Sequence, residues 1–474
     1  MRTEPGSSRR DGPGAFADAG VRDKKTGARK QNEGGSSMDS YHPVSRRRFL
    51  ESATMGSAIL AAAPAWGRVL GANDRINVAL IGVGARGSDH LDLLLQHRAM
   101  KPDIEIVALC DVYQKRLNVA ARKAPGAKTY VHHQDVLERT DIDAVFIATP
   151  DHWHAPITLA AMESGKDVYV EKPMTHTVEE SKVVAHRAKE LKRVVQVGVQ
   201  GLSWTRWHKV HEIIQSGMIG QVVAVQGTYS RNAPGGDWNS DYWVIDPAAS
   251  PDAAGEEHID WKQWLGSAPQ RPFNADRFFR FRKYWDYSGG IATDLHYHIV
   301  APFHLGVAND FPTRVAGMGG LWIYNDGREV PDTFLTAADY PGKYSMTIQS
   351  SQVNENGPLT MIRGTKATIH LSDEWEGPPS RQYDYADIFP ESPFADEFVK
   401  KYGNDQVRVE GVGNEGDLKH VDNFLDCVRS RQQPNCHVDL GYKVSVATDL
   451  SVRSYRNGKV YYFDAEREQV VEKA

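Results

Sequence analysis

Ile76-Asn77-Val78-Ala79-Leu80-Ile81-Gly82-Val83-Gly84-Ala85-Arg86-Gly87 decides the fold. Six apolar-rich residues form a buried strand, three glycines follow at the spacing of a phosphate-binding turn, and Leu91, Leu94 and Leu95 then recur with helical periodicity. Gly82 permits the tight turn, and Gly84 leaves room for a pyrophosphate. Gly87 lets helix and strand pack closely, and the helix N-terminus, with Arg86 on it, faces the anion. A second strand, Ile104 to Leu109, ends at Cys110-Asp111, where a carboxylate can bond ribose hydroxyls. A carboxylate there repels a 2′-phosphate, so NAD is expected, with NADP left open by Lys115 and Arg116.

The alternation continues outward. Strands are expected at Asp143–Thr149, Asp167–Val170 and Val194–Val199, with a helix at Ala155–Ser164 between the first two. The strands end at Pro150, at Glu171-Lys172-Pro173 and at Gln200, and open α/β sheets bind ligands at such carboxyl ends. The cofactor contacts expected are therefore Gly82, Gly84, Arg86, Gly87, Asp111, Thr149, Pro150, His154, Glu171, Lys172 and Gln200.

Gly82-x-Gly84-x-x-Gly87, Thr149-Pro150-Asp151-x-x-His154 and Glu171-Lys172-Pro173 together resemble the Gfo/Idh/MocA family, named for glucose-fructose oxidoreductase and inositol 2-dehydrogenase. The resemblance spans roughly residues 76–460. It implies an α/β protein: a Rossmann domain with a doubly wound parallel sheet, then a C-terminal α/β domain with a large, mostly antiparallel sheet. It also implies that Lys172 reaches nicotinamide and substrate hydroxyl, and that Asp294 and His298 of Asp294-Leu295-His296-Tyr297-His298 are the acid/base pair.

The chemistry suits those residues. Oxidising a secondary alcohol requires a base, and a histidine titrates near the working pH. On one helix Asp294 and His298 share a face, and Lys172 can hold the alcohol oxygen. The family commonly has glycine where this chain has His296, which makes His296 a candidate substrate contact. No Cys, Asp or Glu stands at a spacing that completes a metal site with His296-x-His298, so no metal is expected.

Beyond Gln200, a helix at Thr205–Ser216 and a strand at Val222–Ser230 precede a polar, aromatic segment from Asn232 to Ser288. Of its aromatics, Trp285 and Tyr287, just upstream of Gly289-Gly290, are the candidate sugar platforms. Strands at Arg314–Tyr324, Thr333–Asp339, Tyr344–Gln352 and Leu359–Leu371, then helices at 415–430 and Tyr442–Arg456, complete the domain.

The N-terminal region has a different character. Residues 1–48 carry a net charge of +5, which leaves −10 on the rest of a chain of net −5. An acidic body argues against nucleic acid as partner. Ser45-Arg46-Arg47-Arg48-Phe49-Leu50 precedes a short apolar run, Ala53–Ala63, and Ala63-Pro64-Ala65. This resembles a Tat export signal with cleavage after Ala65 and translation starting at Met38; the run is too short for a membrane anchor. The expected organisation is an upstream segment and signal peptide over 1–65, an arm over 66–75, a cofactor domain over 76–200 and a substrate and oligomerisation domain over 201–474. Three cysteines exclude a disulfide scaffold. The function expected is an exported oxidoreductase acting on a carbohydrate or polyol. It would be a homo-oligomer, a dimer or tetramer, in the periplasm or another extracytoplasmic space. The alternatives are a redox-neutral, NAD-dependent glycosidase or epimerase and a catalytically inert sugar-binding protein.

Overall fold

The computed structural model describes residues 75–371, 385–411 and 415–471. The twin-arginine stretch and the arm before residue 75 lie outside the described residues.

The first sheet is parallel throughout. Its strands are β1 (Ile76–Ile81), β2 (Ile104–Cys110), β3 (Lys128–Tyr130), β4 (Ala144–Ile147), β5 (Asp167–Glu171) and β6 (Val195–Gly198), in the order β3-β2-β1-β4-β5-β6. This is the Rossmann order, in which the chain reverses direction beside β1 and opens a crevice at the strand ends. The helix at Ala85–Met100 follows the glycine turn, and the helix at Asp151–Glu163 starts directly after Pro150. Near-continuous burial of β1, β4, β5 and β6 is what helices on both faces require.

The second sheet has ten strands. Its strands are β7 (Val222–Gly227), β8 (Arg314–Gly320), β9 (Thr333–Tyr340), β10 (Tyr344–Ser351), β11 (Thr360–Gly364), β12 (Ala367–Leu371), β13 (Tyr385–Pro390), β14 (Val407–Glu410), β15 (Tyr461–Asp464) and β16 (Gln469–Val471). The order is β14-β13-β12-β11-β7-β10-β9-β8-β15-β16, antiparallel except where β7 meets β10. Leu359–Leu371 is thus a hairpin of two strands, turned at Thr365-Lys366, and β8 stops at Gly320, ahead of Tyr324. The alternating burial of β9 and β10 marks one face packed on helices and one open face.

Two segments tie the sheets together. The helix at Leu418–Ser430 returns to the first sheet, where Val421, Phe424 and Leu425 join Phe146 and Tyr169 in one core. Its polar side docks as well, with His97 Nδ1 2.6 Å from Asp422 and Arg429 Nη2 donating to the Asp103 carbonyl at 2.8 Å. The aromatic segment between β7 and the helix at Ile291–Asp294 packs on Tyr113, just beyond β2, through Ile259, Trp264, Phe278 and Phe279. Lys115 Nζ and the Tyr113 hydroxyl each donate to Asp246 at 2.7 Å, and Trp153 donates to the Trp264 carbonyl at 2.7 Å. No helix among the described residues is long and apolar enough to cross a membrane.

Candidate active site

A cleft of about 950 Å³ runs along the carboxyl ends of β1, β2, β4 and β5 and is roofed by the aromatic segment. Its floor is the glycine turn. Gly82 has φ +86°, and a Cβ there would lie 2.6 Å from the Ala148 carbonyl oxygen. A Cβ on Gly87 would come within 1.9 Å of the Gly82 carbonyl oxygen, so the turn and the helix cannot approach this closely with any other residue. The cradle fits a dinucleotide: backbone amides face the cleft at the helix start, and Arg86 Nη2 and Thr149 Oγ1 are buried polar atoms without a partner.

Asp111 makes structural bonds of its own. Its Oδ2 accepts from Val83 N at 2.9 Å and its Oδ1 from Tyr113 N at 3.0 Å, so it clamps the glycine turn to the end of β2. Burial raises its pKa against the pull of Arg116. Of the two cations beside it, Lys115 is held outside by Asp246. Arg116 lines the cleft, its guanidinium carbon 5.0 Å from the Phe278 ring centre.

The other strand-end residues divide into those that face the cleft and those that brace it. Glu171 accepts from Arg86 Nε at 2.8 Å and from Lys172 N at 3.1 Å, and pairs with His90 Nε2 at 2.7 Å. Burial alone would raise its pKa, but Arg86 and then His90 hold it well below the usual carboxylate range. Its oxygens are occupied, so Glu171 locks the glycine helix to β5 and Arg86 in turn reaches Asp417 at 2.9 Å. His154 bridges two loops, meeting the Pro173 carbonyl at 2.6 Å and the Thr149 carbonyl at 2.8 Å. Gln200 is buried in the turn Gln200–Ser203 and is not part of the cleft wall.

At the inner end the two sheets supply one cluster. Lys172 donates to Asp294 Oδ1 and, at 2.8 Å, to the Asp294 carbonyl. Arg282 Nε donates to the same Oδ1 at 2.9 Å, and the Trp238 indole donates to Oδ2 at 3.0 Å. Burial opposes ionisation of Asp294, but Lys172 and Arg282 overcome it and hold the carboxylate far below its ordinary pKa. His298 is half-buried, its ring 5.3 Å from that of Tyr229. Burial first and the Lys172 charge second keep its pKa well below the ordinary histidine value, so the imidazole is neutral near pH 7. Asp294 and His298 are not on one helix. Asp294 ends the turn Ile291–Asp294, and the next helix begins at Tyr297; Asp294 meets Lys172 at the inner end of the cleft, and His298 lies against Tyr229.

Three expected substrate residues lie elsewhere. His296 is fully buried, with Nδ1 2.9 Å from Thr336 Oγ1 and its ring against Phe334; burial lowers its pKa to about 3. The break in the helix leaves His296 against β9. Trp285 packs on Tyr455 under Arg456, and Tyr287 is fully buried against Trp264 and His152. The aromatic segment does reach the site, but through Trp238, Trp243 and Arg282. Trp238 and Arg282 had no spacing signal, because both act across more than ten residues on a turn whose path only the fold reveals.

The chain belongs to the Gfo/Idh/MocA oxidoreductase family: residues 76–199 match its NAD-binding Rossmann fold and residues 203–317 its C-terminal alpha/beta domain. It is 27% identical over 172 residues to inositol 2-dehydrogenase of Corynebacterium glutamicum (strain R), which covers 36% of this chain and 50% of that protein. It is 30% identical over 217 residues to a glycosyl hydrolase family 109 protein of Shewanella baltica (strain OS155), covering 40% of this chain and 46% of the relative. The chain thus matches about half the length of these curated relatives. Among solved structures, levoglucosan dehydrogenase in complex with NADH superposes with a TM-score of 0.61 at 20% identity, over 81% of this chain and 98% of that one, which establishes the shared fold.

Proposed function

We propose that this protein is an NAD-dependent oxidoreductase that removes hydride from a carbohydrate or polyol hydroxyl. The observation that carries the reading is the junction of Lys172, from the end of β5, with Asp294, from the second domain, at the inner end of a dinucleotide cradle. A bound nicotinamide supplies the hydride acceptor. The glycine turn, Arg86, Thr149 and Asp111 would hold the dinucleotide. Of the three N–H bonds on Lys172, two point to Asp294 and the third is left for the substrate oxygen. Neutral His298 accepts the hydroxyl proton, while Asp294, pinned by three donors, fixes Lys172 and stays ionised.

The export reading rests on the twin arginines and the Ala63-Pro64-Ala65 site, and a homo-oligomer rests on the open face of the second sheet. An exported enzyme has no soluble nicotinamide pool, so the cofactor would leave the cytoplasm bound and be regenerated in place. Mature protein beginning near Trp66 should keep near-stoichiometric dinucleotide through dialysis and reduce it when a sugar panel is added, read by NADH absorbance. Empty protein that no sugar reduces in the presence of NAD refutes the reading. The glycosyl hydrolase relative favours a second scheme, in which the hydride returns to the carbon it left; isotopic label at that carbon, retained after turnover, distinguishes it.

A further inference from the structure

Arg282 does more than touch Asp294. Only its Nε is used in that bond. The guanidinium carbon lies 4.3 Å from the Trp243 ring centre and 4.5 Å from the Phe281 ring centre, so its plane is held by aromatic faces. The side chain lines the cleft at 15% exposure, and its two terminal nitrogens have no hydrogen-bond partner among the described residues. Both nitrogens therefore present an open, planar pair of donors to whatever enters.

The neighbouring charged groups leave that pair of donors unused. Lys172 and Arg282 share a single carboxylate oxygen, Asp294 Oδ1. The other carboxyl group of the cleft near Arg282 is Asp151, which is 3% exposed, with Oδ2 lacking a partner and no hydrogen bond to Arg282. Its charge adds to that of Asp294 in favouring the ionised guanidinium, but no bond occupies the terminal nitrogens. Arg231, the remaining cation facing His298, is already satisfied by Asp237 at 3.1 Å and by the Tyr229 hydroxyl.

We propose that Arg282 selects a sugar acid: a substrate whose carboxylate is taken bidentately by the two terminal nitrogens while its hydroxyl meets Lys172 and His298. This deepens the oxidoreductase reading and rests on it. The fork matches a carboxylate, whereas a sugar hydroxyl offers one oxygen and gains less from a cation. The dinucleotide pyrophosphate has its own partners at the glycine turn and Arg86.

The test uses the purified holoenzyme with paired probes: glucuronate and glucose, galacturonate and galactose, mannuronate and mannose. Binding is read from tryptophan emission, which Trp243 and Trp238 place at the site, and turnover from NADH absorbance. At least one uronate should bind about 10- to 100-fold more tightly than its neutral partner. Arg282→Gln should erase that preference and leave dinucleotide affinity unchanged, and Arg282→Lys should restore part of it. If no uronate outbinds its partner, or Arg282→Gln weakens both sugars alike or weakens the dinucleotide, the proposal is overturned; the wild-type comparison decides even if the variants fail to fold. Turnover of neutral sugars alone would sink this proposal and leave the oxidoreductase reading standing. A uronate that binds through Arg282 without reducing the cofactor would do the reverse.

Discussion

Replacing Asp294 by Asn changes almost nothing in shape and removes the one negative charge between Lys172 and Arg282. Lys172 donates to Asp294 twice, Arg282 donates at 2.9 Å and Trp238 at 3.0 Å, all with side chains no more than 15% exposed in the two ion pairs. The amide keeps one acceptor and loses the charge, leaving two cations facing each other with little water. Breaking a buried pair from one side costs about 3–5 kcal/mol, whereas removing both partners costs far less. For a chain of this length each kcal/mol is worth roughly 1–2 °C of Tm, so D294N should lower Tm by about 3–10 °C. Lys172→Met in the same chain should return a large part of that loss. Calorimetry on the two single variants and the double variant gives the coupling directly. Were D294N as stable as the parent, or the two losses simply additive, the ion pair would not be the link between the sheets described above.

Other outcomes follow from the same geometry. His152, His296 and His304, at about 3, and His420, at about 4, are held neutral by burial, while the unfolded chain protonates them near ~6.5. Their contribution is complete above that pH and is lost as pH falls from there toward 4, at about 1.4 kcal/mol per pH unit for each histidine, so urea midpoints should fall steeply from pH 6.5 to 5 and not from 8 to 6.5. His296→Ala should lower stability and leave KM for any substrate within about twofold, since the ring meets Thr336 and not the cleft; a KM change beyond tenfold at unchanged Tm would contradict its placement. Trp238→Phe keeps the buried ring and deletes the bond to Asp294 Oδ2, which is worth about 1.5–3 kcal/mol by urea unfolding. Asp111→Ala should weaken NAD binding by a similar ~1.5–3 kcal/mol in calorimetry; unchanged affinity would leave the carboxylate as a clamp on Val83 and Tyr113 alone.

The parallel sheet and the cradle were legible because they are local. Strand, glycine turn and the start of the helix occupy twelve consecutive residues from Ile76, and Gly82 and Gly87 are each needed for a close approach at the end of β4 or within the motif. Lys172, Asp294 and His298 are marked by tripeptide and spacing, and the structure adds that burial keeps His298 neutral while Lys172 and Arg282 keep Asp294 ionised. His296 was misplaced because its role depended on which way a broken helix turns, a matter settled by Thr336 some forty residues later. Trp285 and Tyr287 stand out by nearness to Gly289, yet Tyr287 is buried in the aromatic cluster around Tyr113 and Trp285 is taken up by Tyr455. Asp111 looked like a ligand alone because its backbone partners, Val83 and Tyr113, lie on two different turns.

The helix at Leu418–Ser430 places Val421, Phe424 and Leu425 in the core of a sheet whose first strand begins at Ile76. During synthesis that core has a missing wall until Leu418–Ser430 has left the ribosome. Phe146 and Tyr169 then wait, uncovered on that side, through more than two hundred further residues. Truncated products would accordingly be left with exposed apolar surface and be open to degradation. The first domain expressed alone should therefore be poorly soluble unless this helix is supplied with it.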